Sequence, residues 1–317
     1  MIVIGICNSW YHSLGIASYI IKKIGVNNVD KLLVFSGGLL GCKAELVDFS
    51  NLDGFSGILK SVNSWECFVD EVGKLDQKSE CLLIAPSIAP FRAVKALADK
   101  KINFSLVVCE EGIGSYGGFV QTARANIRER DGLRNKAIGI FSIILKRQYV
   151  KKKAEKITYW LNFDAKGVSR DEVVISYQTA LSMIQMPVCK KIEDNYDSIF
   201  FSSPIVELGI QSEYRYMNQI INILGAESRV IVKPHPAENI AKYKKYNIDV
   251  YEEIVSSEVM LRNLPSNINI YALSSTVLYT SNLFYGIKTH RVSGIDFFYN
   301  TLSRSQKKII DNNSKEV

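Results

Sequence analysis

Short apolar runs recur at residues 2–6, 32–35, 81–85, 106–109, 199–201, 230–232 and 268–271, with amphipathic stretches between them. Continuous runs of this length suit strands covered on both faces. Their alternation with helix-forming segments predicts parallel sheets joined by crossover helices. A less regular, basic and polar region, from about residue 124 to 196, separates the first four runs from the last three. The expected architecture is α/β, with two Rossmann-like parallel-sheet domains facing one another across a cleft. The connection between them falls near residues 188–195, giving domains 1–190 and 191–317. No internal repeat or low-complexity segment interrupts the pattern.

Length agrees with this division, because 317 residues with 47% hydrophobic and 22% charged positions are ample for two cores. The six cysteines (Cys7, Cys42, Cys67, Cys81, Cys109 and Cys189) lack paired spacing, and several lie inside apolar runs, as free thiols do in a reducing compartment. The opening Met1-Ile2-Val3-Ile4-Gly5-Ile6 has no basic flank and is broken by Asn8 and Ser9, so neither secretion nor a spanning helix is indicated. A cytoplasmic location is expected.

The net charge of +7 is unevenly placed. Lys146, Arg147, Lys151, Lys152, Lys153 and Lys156 follow directly on the apolar segment 138–145. Two readings stand open for residues 146–156: peripheral contact with an anionic membrane at the inner face of the cytoplasmic membrane, or a buried helix followed by a solvated turn of lysines. Nucleic-acid binding is not expected, since no recognition motif is present and aromatics do not interleave with the basic run.

Three constellations could carry chemistry. Lys233-Pro234-His235-Pro236 follows the apolar run 229–232 and precedes the helix-like Ala237-Glu238-Asn239. Two prolines hold the backbone around His235 at a strand end, where α/β sheets bind ligands, and an imidazole there can pass a proton to a phosphate. Alternatively, His235 bonds a backbone carbonyl. Cys109-Glu110-Glu111-Gly112 follows the run 106–108. Adjacent carboxylates raise one another's apparent pKa, which suits a general base, although acidic loop residues are also commonly solvated or capping. Ser274-Ser275 fall where a strand gives way to an apolar helix, either as phosphate ligands or as ordinary N-caps. Ser202-Ser203-Pro204 end another strand of the same half and could line the same pocket. With three histidines no metal cluster is expected, and there is no Asp-x-Asp motif, P-loop or Gly-x-Ser-x-Gly elbow. Metal-independent chemistry without a cofactor is expected.

In order, Glu-Glu-Gly at 110–112, His-Pro at 235–236 and Ser-Ser at 274–275 resemble the three short motifs of bacterial sialyltransferases. These motifs are shared by glycosyltransferase families 52, 38 and 80. The resemblance covers about residues 105–290. It implies a GT-B fold and inverting transfer of sialic acid from CMP-sialic acid to a glycan acceptor of the bacterial surface, such as lipopolysaccharide, lipooligosaccharide or capsule, lipid-linked acceptors included. Glu110 or Glu111 would deprotonate the acceptor, with Glu110, nearer the strand end, preferred. His235 would protonate or bond the departing CMP phosphate, while Ser274 and Ser275 would hold it. Gly112, Lys233, Pro236, Ser202 and Ser203 complete the expected binding set. This chain has Glu-Glu where many relatives carry aspartates, so the base reaches one methylene further. Transfer of another CMP-activated acid such as Kdo, and a non-catalytic nucleotide-binding GT-B protein, are the alternatives.

Overall fold

The computed structural model describes residues 1–36, 46–86, 90–110, 112–116, 132–163, 169–185, 189–192, 195–225, 229–253, 255–265 and 267–317. It divides into two compact units, Met1–Met186 and Pro187–Val317.

The first unit is built on six parallel strands, β1 (Ile2–Cys7), β2 (Lys31–Ser36), β3 (Ile58–Val62), β4 (Cys81–Ala85), β5 (Phe104–Cys109) and β6 (Ile157–Trp160), in the order β3-β2-β1-β4-β5-β6. The central strands are almost wholly apolar, Ser105 of β5 being the polar exception, as strands covered on both faces are. One face buries Ile4, Leu33, Phe68, Leu83, Leu97 and Leu106 in a single cluster. Helix α1 (Trp10–Tyr19) starts at Ser9, whose side chain accepts the His12 N–H, and it is buried along almost its whole length. Helices α2 (Trp65–Gly73) and α3 (Phe91–Asp99) follow β3 and β4.

The basic, polar stretch is more regular than its composition suggests. It contains α4 (Leu133–Lys153), the edge strand β6 and α5 (Arg170–Met183). The apolar segment 138–145 and the lysines after it are one helix. Lys151, Lys152 and Lys153 form its last turn, not a turn beyond it, and the helix is only partly buried. Straight-chain lysines and arginines continue a helix readily, so composition did not mark a boundary there.

The second unit repeats the plan with β7 (Ser198–Phe201), β8 (Val230–Lys233), β9 (Asp249–Val250), β10 (Asn269–Ala272), β11 (Thr289–Arg291) and β12 (Lys315–Glu316), ordered β12-β11-β10-β7-β8-β9 and parallel. Its helices are α6 (Glu213–Leu224), α7 (Ala241–Lys245), α8 (Ser257–Arg262), α9 (Val277–Tyr285) and α10 (Arg304–Asn313). Residues 237–239, expected to open a helix, lie instead in a turn closed by the Glu238 N–H to the His235 carbonyl at 2.9 Å, and α7 begins at Ala241. Counted within each unit, both sheets have the strand order 3-2-1-4-5-6, whose switch point lies between the first and fourth strands.

Candidate functional site

In the second unit, β10, β7 and β8 are adjacent and parallel, so their carboxyl ends share one edge of the sheet. Those ends lead into Ser274-Ser275, Ser202-Ser203 and the His235 turn, respectively. Segments separated by tens of residues thus meet at the switch point, where the chain departs in opposite directions and leaves a crevice for a ligand.

The His235 turn is held by a buried carboxylate that the sequence reading did not single out. Glu238, with a side chain 0% exposed, accepts from the His235 backbone N–H at 2.6 Å, from the Ser202 hydroxyl, from Lys242 at 2.7 Å and from the Tyr243 hydroxyl at 2.7 Å. Lys242 also binds both oxygens of Glu207, and Glu207 accepts the Asn239 N–H at 2.9 Å. Four donors on one buried carboxylate fix the loop, because each would be costly to leave unpaired. An acid three residues after a strand-end histidine was the available clue; three of its donors are within five residues, and Ser202, 36 residues earlier, is the remote one.

Within the turn, the Ala237 N–H donates to His235 Nδ1 at 3.1 Å. The neutral ring therefore carries its proton on Nε2. His235 is exposed on one side, yet the protein packed about it lowers its pKa below the usual value. The nearby Lys233 charge acts in the same direction, and the Glu238 and Glu207 carboxylates oppose it. Lys233 itself is buried, donates to the Glu253 carbonyl at 2.9 Å and lies over the Tyr251 ring. Its charge reaches the site as a field. Pro236 is exposed beside the histidine.

Ser274 donates to Asp296 at 2.6 Å, and Asp296 also accepts the Tyr299 N–H at 3.1 Å and faces Arg291. Burial raises the Asp296 pKa, while these donors oppose the shift. Ser275 stands just before Thr276, the N-cap of α9, and its hydroxyl oxygen accepts the Val277 N–H at 3.5 Å. The Ser202 hydroxyl is buried against Glu238, whereas Ser203 is half-buried and bonds through its carbonyl.

In the first unit, the Glu110 side chain follows β5 and is 0% exposed. One oxygen accepts from the Tyr11 hydroxyl at 2.9 Å, and the other from the Tyr116 hydroxyl and the Asn162 N–H, the latter at 2.9 Å. Asn162 also donates to Tyr11 Oη at 3.1 Å, and the Phe163 N–H donates to Tyr116 Oη at 3.2 Å. Burial, followed by the adjacent carboxylate, pushes the Tyr116 pKa far up, so that hydroxyl remains a donor. Glu110 is therefore a sealed hub joining α1, the turn Ile113–Tyr116 and the end of β6. Gly112 opens that turn at φ +99°, a conformation that favours glycine. Glu111 lies outside the described residues.

The same fold occurs in an α/β-galactoside α-2,3-sialyltransferase from Photobacterium phosphoreum, with TM-score 0.54, 12% identity and coverage of 99% of this chain and 98% of that one. It also occurs in a putative UDP-N-acetylglucosamine 2-epimerase from Listeria monocytogenes, with TM-score 0.54, 10% identity and coverage of 99% and 82%. The UDP-GlcNAc 2-epimerase from Methanocaldococcus jannaschii gives TM-score 0.54, 10% identity and coverage of 100% and 88%. The architecture is GT-B, with two Rossmann-like α/β units. The alpha-2,8-polysialyltransferase family model matches residues 3–292, and the chain belongs to that family. None of the curated proteins matches it in sequence. Membership makes it a sialyltransferase, acting between a nucleotide-sugar donor and a glycan acceptor.

Proposed function

We propose that the protein transfers sialic acid from CMP-sialic acid to a glycan acceptor of the bacterial surface, with inversion and without a metal. The observation that carries this reading is the shared carboxyl edge of β8, β7 and β10, where the His235 turn and the two serine pairs gather. A CMP phosphate in that crevice would meet His235 Nε2–H, the amides at the start of α9 and the field of Lys233. With Nδ1 occupied and its pKa lowered, His235 serves as a neutral donor stabilising the departing phosphate, so full proton transfer is not required.

The acidic pair divides its work. Glu110, sealed by three donors, positions the turn after β5, and Glu111 is the base that takes the acceptor proton as its oxygen attacks the anomeric carbon. The bond to CMP breaks as the glycosidic bond forms, through a transition state with oxocarbenium character. No helix among the described residues is long and apolar enough to cross a membrane. The proposed location is cytoplasmic, peripheral to the inner face of the cytoplasmic membrane, where a lipid-linked acceptor would be found.

The test is CMP release from CMP-sialic acid by the purified protein with EDTA present, run in parallel with CMP-Kdo. Lactose-type and α2,8-linked oligosialic acceptors are added, and wild type is compared with Glu111→Gln and His235→Ala. Acceptor-stimulated, EDTA-resistant release from CMP-sialic acid, reduced at least about a hundredfold by Glu111→Gln, is expected. Release from CMP-Kdo alone would replace the donor, and silence with both donors would refute the reading.

A further inference from the structure

The solvent face of α4 carries a feature that the catalytic site does not use. Ile138, Phe141 and Leu145 are 51%, 63% and 51% exposed, although each is a large hydrophobe. Their spacing of three and four residues sets them in one row along the helix. Phe91 of α3 and Tyr149 extend this row into a groove of about 730 Å³, which Lys146 also lines. Arg134 precedes the row by four residues and Lys152 follows it by seven, so basic side chains bracket the apolar row on the same face.

The charge of this helix is more one-sided than the whole chain reveals. The 39 lysines and arginines exceed the 32 aspartates and glutamates by seven, and α4 holds seven basic residues and no carboxylate. Outside α4 the chain is charge-balanced. All of the excess positive charge therefore sits on one 21-residue helix, about 31 Å long at 1.5 Å per residue.

We propose that this face of α4 docks on an anionic lipid surface, with Ile138, Phe141 and Leu145 entering the headgroup boundary and the flanking lysines and arginines binding lipid phosphates. This deepens the peripheral location proposed above, yet the binding is independent of which sugar is transferred. Charge complementarity selects the occupant. Exposed apolar area alone would suit a second copy of the chain, but a two-fold contact sets the same face against itself, bringing Arg134, Lys146, Lys152 and Lys153 opposite their own copies with no carboxylate on the helix to pair them. A bilayer rich in acidic headgroups accepts both parts of the pattern, as amphipathic interfacial helices do. Lys146 and Lys153 lie over the rings of Phe91 and Tyr149, which keeps basic groups beside the apolar row.

The experiment is co-sedimentation of the full chain with phosphatidylcholine vesicles, with and without phosphatidylglycerol, at low and high salt. Wild type is compared with F141D/L145D and with K151E/K152E/K153E. Binding that requires phosphatidylglycerol, weakens with salt and falls by about tenfold or more in either variant is expected. CMP release with a soluble acceptor should stay at the wild-type level in both variants, which separates docking from catalysis and shows that the variants fold. Absence of vesicle binding by wild type, or equal binding to neutral vesicles, would overturn the proposal. So would a concentration-dependent dimer in sedimentation velocity that F141D/L145D dissociates while vesicle binding persists.

Discussion

His235 and Glu238 show how a short motif acquires its chemistry. Pro234 and Pro236 stiffen the turn, but the histidine is oriented by its backbone N–H donating to Glu238 and its ring Nδ1 accepting the Ala237 N–H. Removing Glu238 leaves Lys242, the Ser202 and Tyr243 hydroxyls and the His235 backbone N–H short of an acceptor. Glu238→Ala is expected to lower stability by about 3 kcal/mol, read by urea unfolding, and to depress kcat more than donor KM because the imidazole loses its orientation. Glu238→Gln should fall between the two proteins, since one of its two terminal groups can still accept. A second expectation concerns acidity. The folded state holds His235 below its ordinary pKa, near 6.5, so between the folded and unfolded values the unfolded chain binds more protons. Stability attributable to this residue is present above about pH 6.5 and is lost as pH falls through the folded value. His235→Gln should therefore flatten the dependence of unfolding midpoint on pH over that acidic interval. An unchanged slope would mean that the ring is not linked to folding.

The strands that are legible as apolar runs are those covered on both faces, such as β1, β4 and β5. β3 has a mostly exposed pattern with Lys60 and Ser61, and β9 and β12 are two residues long, so hydrophobicity does not announce them. They form because a paired neighbour supplies the hydrogen bonds. Helix α1 illustrates a different dependence. It is buried against α5, and a Cβ added at Gly15 would approach the Tyr177 hydroxyl to 2.7 Å, far inside ordinary contact. Gly15→Ala is expected to destabilise the first unit by about 1–3 kcal/mol through overpacking, outweighing the better helix propensity of alanine. Combining it with Tyr177→Phe, which removes the obstructing oxygen, should recover part of the loss in thermal unfolding. Failure of the double variant to recover would place the strain elsewhere.

On the scale of the whole molecule, two sheets reach the same strand order without any visible sequence repeat. Right-handed crossovers between parallel strands restrict the available topologies, so unrelated apolar runs converge on one plan. The alternation of those runs, the three motifs and their order along the chain were sufficient to indicate α/β units and the sialyltransferase class, because apolar runs and short motifs are contiguous in the chain. Other features depend on distant partners. Tyr11, 99 residues before Glu110, and Asn162, 52 residues after it, close its carboxylate in hydrogen bonds. Glu207 and Lys242 secure a turn whose sequence shows only its prolines. The sequence left the apolar segment of α4 open to burial or to surface contact, and the fold leaves Ile138, Phe141 and Leu145 exposed. Sequence alone determined which side chains were available and roughly which elements would carry them. Tertiary structure decided which carboxylate was desolvated, which proton the histidine kept and which hydrophobic face remained uncovered, since hydrogen-bond satisfaction and burial are set by groups far apart in the chain.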